Sequence, residues 1–337
     1  MHAGSKYTLK EFLLWTRWDS FWLLVIATVP TVLYAQLDVK WIAVPWVPIA
    51  LVGTAAAFIV GFRNNATYAR LWEARQIWGG IVNSSRAWAV AARDFVQPCE
   101  ALSSDDAGRT HTELVHRHIA WLTALRFQLR QPRAWETMML ARNIEYRKAH
   151  FEVAELKGDL SKELRVLLAA PEAEDVLGKT NRATQILSQQ SAHLARLAKA
   201  GVLDGHRHVA LERIIGDLYD HQGRCERIKN FPYPRQFATI NLYFVRIFMW
   251  LVPLGMLQEF QKLGQSLVWL TIPFSFLVGW MFNAMERVGV STENPFEGSA
   301  NDVPMTSMSR SIEIDLREML GEKDIPPPLG PTNDILM

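Results

Sequence analysis

Apolar and polar positions divide this chain into four long apolar runs and one long polar stretch between the second and third. Ser20 to Leu37 and Trp41 to Phe62 hold no charged residue, and 266–285 holds none either. The run 237–257 holds one, Arg246. The hydrocarbon core of a bilayer is about 30 Å thick and a helix rises about 1.5 Å per residue, so about 20 apolar residues cross it. Each run therefore predicts a membrane helix. Asp38 to Lys40 and residues 258–265 are short links, which makes the four helices two antiparallel hairpins. Pro30 inside the first crossing is tolerated as a kink. The first run is too long for a signal peptide and no convincing cleavage site follows it. Ahead of it, TLKEFLLWTRW (residues 8–18) has the Leu, Trp and Lys mixture of a helix lying at the interface.

Residues 63–236 are polar and helix-rich. Tyr68, Leu71, Trp72, Arg75, Trp78 and Val82 recur at spacings of three and four, predicting an aromatic stripe that serves as core. Ser103, Ser104, Asp105 and Asp106 form a turn with N-cap residues leading into a helix near 110–130. Pro132 and Pro171 mark breaks, and the alternating charges of 145–165 predict a solvated helical face. Further helices are expected over 179–199 and 208–228, and FPYP (231–234) returns the chain to the membrane. The tail after Pro326 predicts disorder.

Composition refines this picture. A hydrophobic content of 49% and a mean hydropathy of +0.01 look soluble, but they average strongly apolar ends with a charged middle. A net charge of +2 argues against nucleic acid as a partner, which would need a concentrated basic surface. Many of the 13 Trp sit near the ends of apolar runs (Trp15, Trp18, Trp22, Trp41, Trp46, Trp250, Trp269, Trp280), where a bilayer places its headgroups. Cys99 and Cys225 are too few for a disulfide framework. Lys6, Lys10 and Arg17 flank one side of the first hairpin, with Arg63, Arg70 and Arg75, whereas its turn holds only Lys40. The positive-inside rule then places both termini and the polar middle in the cytoplasm of a multi-pass protein of the cell membrane. Arg246 is expected to snorkel toward the interface.

Candidate chemistry is sparse. His111, His116, His118, His206 and His208 lack a Cys or carboxylate at metal-ligand spacing and read as surface histidines. No paired carboxylates or Ser-His-Asp arrangement stands out, so neither an enzyme nor a cofactor is expected. Within the second crossing, Thr54, Phe58 and Phe62 fall at i, i+4 and i+8 and share one helix face. Gly53, Ala55, Ala56, Ala57 and Gly61 surround them, small residues that let helices approach closely. Two readings stay open: ordinary helix packing, or several copies around an axis with the Phe rings as an apolar constriction that gates by dewetting.

FRNNATYARLWEARQIWGGIVNSSRAW (62–88) resembles the motif after the second membrane helix of bestrophin-family channels, particularly prokaryotic ones. ENPFEGSANDVPMTSMSRSIEIDLREMLGE (293–322) resembles the family's segment after the last membrane helix. The resemblance covers most of residues 5–322. It implies an all-α membrane protein, with four transmembrane helices continuous with a cytoplasmic helical domain and assembled around a central pore. The divisions expected are 1–62 (interfacial helix, two crossings, neck at 54–62), 63–236 (cytoplasmic), 237–285 (two crossings) and 286–337 (C-terminal segment and tail). In that family five subunits surround one pore whose neck has three bulky apolar residues spaced four apart. Thr54, Phe58 and Phe62 match those positions, Thr54 departing from the usual aliphatic residue. A second, cytosolic aperture has Ile186 (in NRATQILSQQ) as its match, with helix core as the other reading. Animal members bind calcium through a run of acidic residues after the last crossing. Asn294, Pro295 and Phe296 match its start and Asp302 one acidic position, but Glu297, Gly298, Ser299, Ala300 and Asn301 leave little negative charge. Loss of calcium regulation is therefore expected, and no metal site.

The function implied is a homopentameric channel for small monovalent ions, with chloride the family default and sodium the alternative. Its partners would be its own copies, the bilayer and the permeant ions. A membrane-anchored helical scaffold is the rival from another class.

Overall fold

The computed structural model describes residues 1–4, 6 and 9–337, and the side chains of all of these except 9–14 and 142. Of the interfacial face expected over 8–18, residue 8 and the side chains of 9–14 lie outside what is described. Among the described residues every extended element is a helix, and they gather into two compact units.

The first unit comprises Gly4–Arg70 and Pro232–Glu293. It contains α1 (Leu9–Ala35), the first half of α2 (Trp46–Phe95), α10 (Arg235–Leu263) and α11 (Thr271–Thr292). The second crossing starts later than its apolar run: Lys40–Ile42 forms a 3-10 turn, and α2 begins only after Pro45. Pro48 sits in the first turn of α2, where its missing N–H leaves no hydrogen bond unmade. Arg63, directly after the apolar run, is buried at 4% exposure. Helix α1 packs on α11 and α10, and α10 on α11. Glycines set the spacing at two contacts. A Cβ on Gly53 would stand 2.5 Å from the Phe248 ring, and one on Gly255 would stand 2.6 Å from Ile49. Ile49, Ala56, Phe248 and Val252 form a small apolar core there. Among the described residues four segments are long and apolar enough to cross a membrane, yet only 17–39% of the apolar stretch of each is buried within the chain. Surfaces such as Phe21, Trp22, Val29, Phe237 and Trp250 are exposed, and an apolar area of that extent needs lipid or protein against it.

The second unit comprises Met1–Ala3, Leu71–Phe231 and Asn294–Met337. Its elements are the rest of α2, then α3 (Ser104–Arg130), α4 (Ala141–His150), α5 (Ala154–Lys157), α6 (Leu160–Leu167), α7 (Ala170–Leu177), α8 (Arg182–Lys199), α9 (Gly205–Asn230) and α12 (Met305–Leu320). Helix α3 is its axis and is buried along most of its length, with α5, α6, α8, α9 and α12 packed on it. Ser103 caps α3 by accepting the Asp106 N–H at 3.2 Å; Asn181 and Asp204 cap α8 and α9 in the same way. Pro171 falls in the first turn of α7, where proline is tolerated.

Three expectations are corrected in this unit. The aromatic stripe divides, with Trp78 fully buried but Trp72 47% exposed, because it is wider than the face α2 buries. The charged stretch 145–165 is not one solvated face. It breaks into three short helices, and Glu155 is buried between Arg126 and Thr306. The tail beyond Pro326 is placed against the unit without forming a helix. Ile335 is 3% exposed beside Phe151 and Val153, and the Ser307 N–H donates to the Met337 carbonyl at 2.7 Å. Proline-rich composition excludes a helix there but does not prevent the backbone from finding partners.

Gly53→Leu is expected to separate α2 from α10 and destabilise the protein by about 1–3 kcal/mol, an overpacking penalty. Thermal denaturation of the detergent-solubilised protein checks this, and an unchanged midpoint would show that the approach is not tight.

Candidate functional site

Helix α2 presents two different faces within the first unit. On one, Ile49, Gly53, Ala56, Val60, Arg63 and Thr67 are buried. On the other, Leu51, Thr54, Ala55, Phe58, Gly61, Phe62, Asn65 and Ala66 are exposed. Phe58 is 63% and Phe62 70% exposed, too open for either to be core of its own chain. Their rings lie 6.3 Å apart between centroids, with planes 28° apart, in a stacked arrangement. The Thr54 hydroxyl donates to the Ala50 carbonyl at 3.0 Å. That bond spends its hydrogen on the helix itself, which lessens the polarity it adds to the row. From Thr54 to Phe62 the row extends about 12 Å along the helix axis.

The buried face ends in an ionic clamp. Arg63 Nη1 donates to Glu286 Oε1 at 2.9 Å and Nη2 to Glu293 Oε2 at 3.0 Å, and Arg235 pairs with Glu293 Oε1 at 3.1 Å. Two arginines therefore face two glutamates, and burial is possible because the charges balance. Beside them Asn64 Nδ2 donates to the Met285 carbonyl at 3.0 Å, and the Thr292 hydroxyl donates to Thr67 Oγ1 at 2.9 Å. The clamp holds α2 to α11 just past the exposed row. Reading apolar runs missed it, although Glu286 on α11 and Glu293 at its C-cap lie seven residues apart and could have been paired with Arg63.

Other predicted positions fall elsewhere. Ile186 is 1% exposed in the core of the second unit. That burial supports the helix-core reading of Ile186 over the aperture one. His111 contacts the Val96 carbonyl at 2.6 Å, His116 pairs with Glu322 at 2.7 Å and His208 with Glu212 at 3.4 Å. His118 is not a surface residue: it is 1% exposed against Ser85, and burial lowers its pKa to about 3, so it stays neutral. Arg246 is exposed on α10 among Tyr243, Ile247 and Trp250 and makes no ion pair among the described residues.

The residues from Asn294 to Asp302 do not fit a calcium ion. Asp302 Oδ2 accepts from Arg130 Nη1 at 2.9 Å and from the Gly298 N–H at 2.6 Å, while Ser299 occupies Oδ1. Both oxygens of Glu297 accept from Thr137, at 2.8 and 3.0 Å. Burial, with Asp302 nearby, raises the Glu297 pKa to about 8, which deprives the segment of a second firm negative charge. Calcium requires several oxygen ligands and substantial negative charge.

With this geometry in hand, comparison with known proteins identifies the class. A family model described as bacterial/fungal bestrophin protein matches residues 17–318, and the chain belongs to that family. Among its relatives is the voltage-dependent anion channel-forming protein RSc3414 of Ralstonia nicotianae. It is 29% identical over 278 residues, covering 82% of this chain and 78% of that protein. The voltage-dependent anion channel-forming protein YneE of Escherichia coli K12 is 26% identical over 298 residues, covering 88% and 83%. A crystal structure of a bacterial bestrophin homolog from Klebsiella pneumoniae shares the fold. Its TM-score is 0.73 at 24% identity, over 92% of this chain and 99% of that one. The chain is thus an all-α membrane protein whose relatives are anion-channel proteins.

Arg63→Met leaves Glu286 and one oxygen of Glu293 buried without their cation and is expected to cost about 3–5 kcal/mol. Arg63→Lys, which keeps the charge but cannot reach both carboxylates with a planar fork, should cost less. Equilibrium unfolding of the two variants checks the order; equal stability of Arg63→Met and wild type would show the clamp to be dispensable.

Proposed function

We propose that the protein is a homopentameric channel passing small monovalent anions, chloride foremost, through a neck lined by Thr54, Phe58 and Phe62. The observation that carries this reading is the composition of the exposed face of α2. Faces of α1 and α10 left exposed by the chain are mostly bulky, as in Phe21, Trp22, Leu24, Tyr243 and Trp250. The exposed face of α2 instead sets Phe58 and Phe62 among Ala55, Ala57, Gly61 and Ala66. Lipid has no use for small residues, whereas close approach of neighbouring helices requires them. Five such faces turned to a common axis place the rings in the path and the small residues at the seams. A neck of that kind excludes water when narrow and conducts when it widens.

Two further considerations support the reading. The relatives carry anion-channel names, which favours anions over sodium. A Phe edge is electropositive and suits an anion, while its face attracts cations, so ring orientation in the assembly sets selectivity. Lys and Arg on one side of the first hairpin put both termini and the second unit in the cytoplasm, with the protein in the cell membrane.

Purified protein in planar bilayers under a sodium chloride gradient should reverse near the chloride equilibrium potential. Reversal near the sodium potential would overturn the anion assignment, and absence of current would favour a scaffold. Phe58→Ala combined with Phe62→Ala should raise the current severalfold; an unchanged current removes both rings from the gate. The particle mass after detergent correction should be five times the 38.4 kDa chain.

A further inference from the structure

Asp302, in the segment that follows the last membrane helix, belongs to a buried ionic cluster. Arg126 and Arg130 lie one turn apart on α3. Arg130 is 1% exposed in its side chain, as is Asp302. Its Nη1 donates to Asp302 Oδ2 at 2.9 Å, its Nη2 reaches the Val303 carbonyl at 3.5 Å, and its Nε lies 3.8 Å from Glu155. Glu155 takes Arg126 Nη1 at 2.5 Å and the Thr306 hydroxyl at 2.6 Å. Burial alone would raise the Glu155 pKa, but Arg126, Arg130 and the Thr306 hydroxyl hold it below the ordinary carboxylate value. Two guanidinium groups and two carboxylates are therefore enclosed together, with a third carboxylate, the partly exposed Glu163, 3.4 Å from Arg126 Nη2.

The same carboxylate organises the loop. Asp302 accepts the Gly298 N–H at 2.6 Å and the Ser299 hydroxyl, closing residues 298–302 on themselves. Gly298 has φ of +95°, a region that side chains resist, and a Cβ there would stand 3.4 Å from Val153. The loop thus depends on a glycine at 298 and on an anion at 302, and the anion depends on Arg130. A divalent ion entering here would have to displace a guanidinium from the only firm carboxylate the loop offers.

We propose that Arg130 is the built-in cation of residues 294–303, holding this segment closed whatever the calcium concentration. The calcium-independence expected from missing acidic residues then has a positive cause: the place of the ion is taken by a side chain from α3. Arg130 acts here as a positioning residue, and the proposal stands whether or not the protein conducts.

Hydrogen–deuterium exchange of the full-length protein in detergent tests it, compared in EGTA and in millimolar free calcium. Wild-type exchange over 294–303 should be slow and equal in both conditions. Arg130→Met should speed it about tenfold or more in both, a tenfold change corresponding to about 1.4 kcal/mol of lost protection. Adding Asp302→Asn to Arg130→Met should restore part of the protection, because the buried anion is removed along with its cation. Should Arg130→Met fail to fold, Arg130→Lys and Asp302→Asn alone, each expected to speed exchange of this segment selectively, serve in its place. Calcium-dependent slowing in the wild type, or unchanged exchange in the variants, would overturn the proposal.

Discussion

Helix α2 is subject to two demands that no other element of the chain meets together. One face must be buried against α10 and α11, which Gly53 permits at Phe248 and Arg63 secures at Glu286 and Glu293. The other carries two large rings that stack on each other and stand more than 60% exposed. A 50-residue helix with no interior proline after its first turn holds both faces in a fixed angular relation. Its backbone groups are satisfied along its length, which the hydrocarbon region requires. The placing of the exposed row thus follows from how the opposite face is packed.

Charge is handled by one device in both units. Buried arginines are met by carboxylates, sometimes by two for one guanidinium, as Arg117 is by Glu113 and Glu172. Arg63 and Arg235 meet Glu286 and Glu293, and Arg126 and Arg130 meet Glu155 and Asp302. Such clusters add little net stability compared with apolar packing, because desolvation offsets most of the attraction. What they confer is position, since a guanidinium fork accepts carboxylates only in certain directions. In one unit that position belongs to the pairing of α2 with α11, and in the other to the loop 294–303.

Much of the fold was legible in the sequence for simple reasons. Apolar length gives membrane crossings, and Ser103 announces a helix start by the chemistry of its side chain. The caps Asn181 and Asp204 went unread, and those helices begin at Arg182 and Gly205 rather than at 179 and 208. The row Thr54, Phe58, Phe62 was legible from spacing alone. What escaped were long-range pairings, because hydropathy counts an arginine as surface whether or not a glutamate lies across from it. Glu155 was misplaced on that account, and the partners of Arg63 and Arg130 went unread. Ile186 shows the converse: a local likeness of sequence named a residue whose burial only the packing of α8 in the core reveals. The ordered tail escaped because residues 326–337 carry no periodicity, and their partners lie far away in the chain.

The central claim is that the exposed rings of α2 face water in a shared conduit rather than lipid. It is tested most directly by access of a charged, membrane-impermeant thiol reagent to Phe62→Cys during current recording. The background is Cys99→Ser, since Cys99 is exposed and Cys225 buried. The account predicts rapid modification from the cytoplasmic side with a step loss of current. A cysteine that this reagent never reaches, while a lipid-soluble maleimide labels it fully, would place the face in the bilayer and contradict the account.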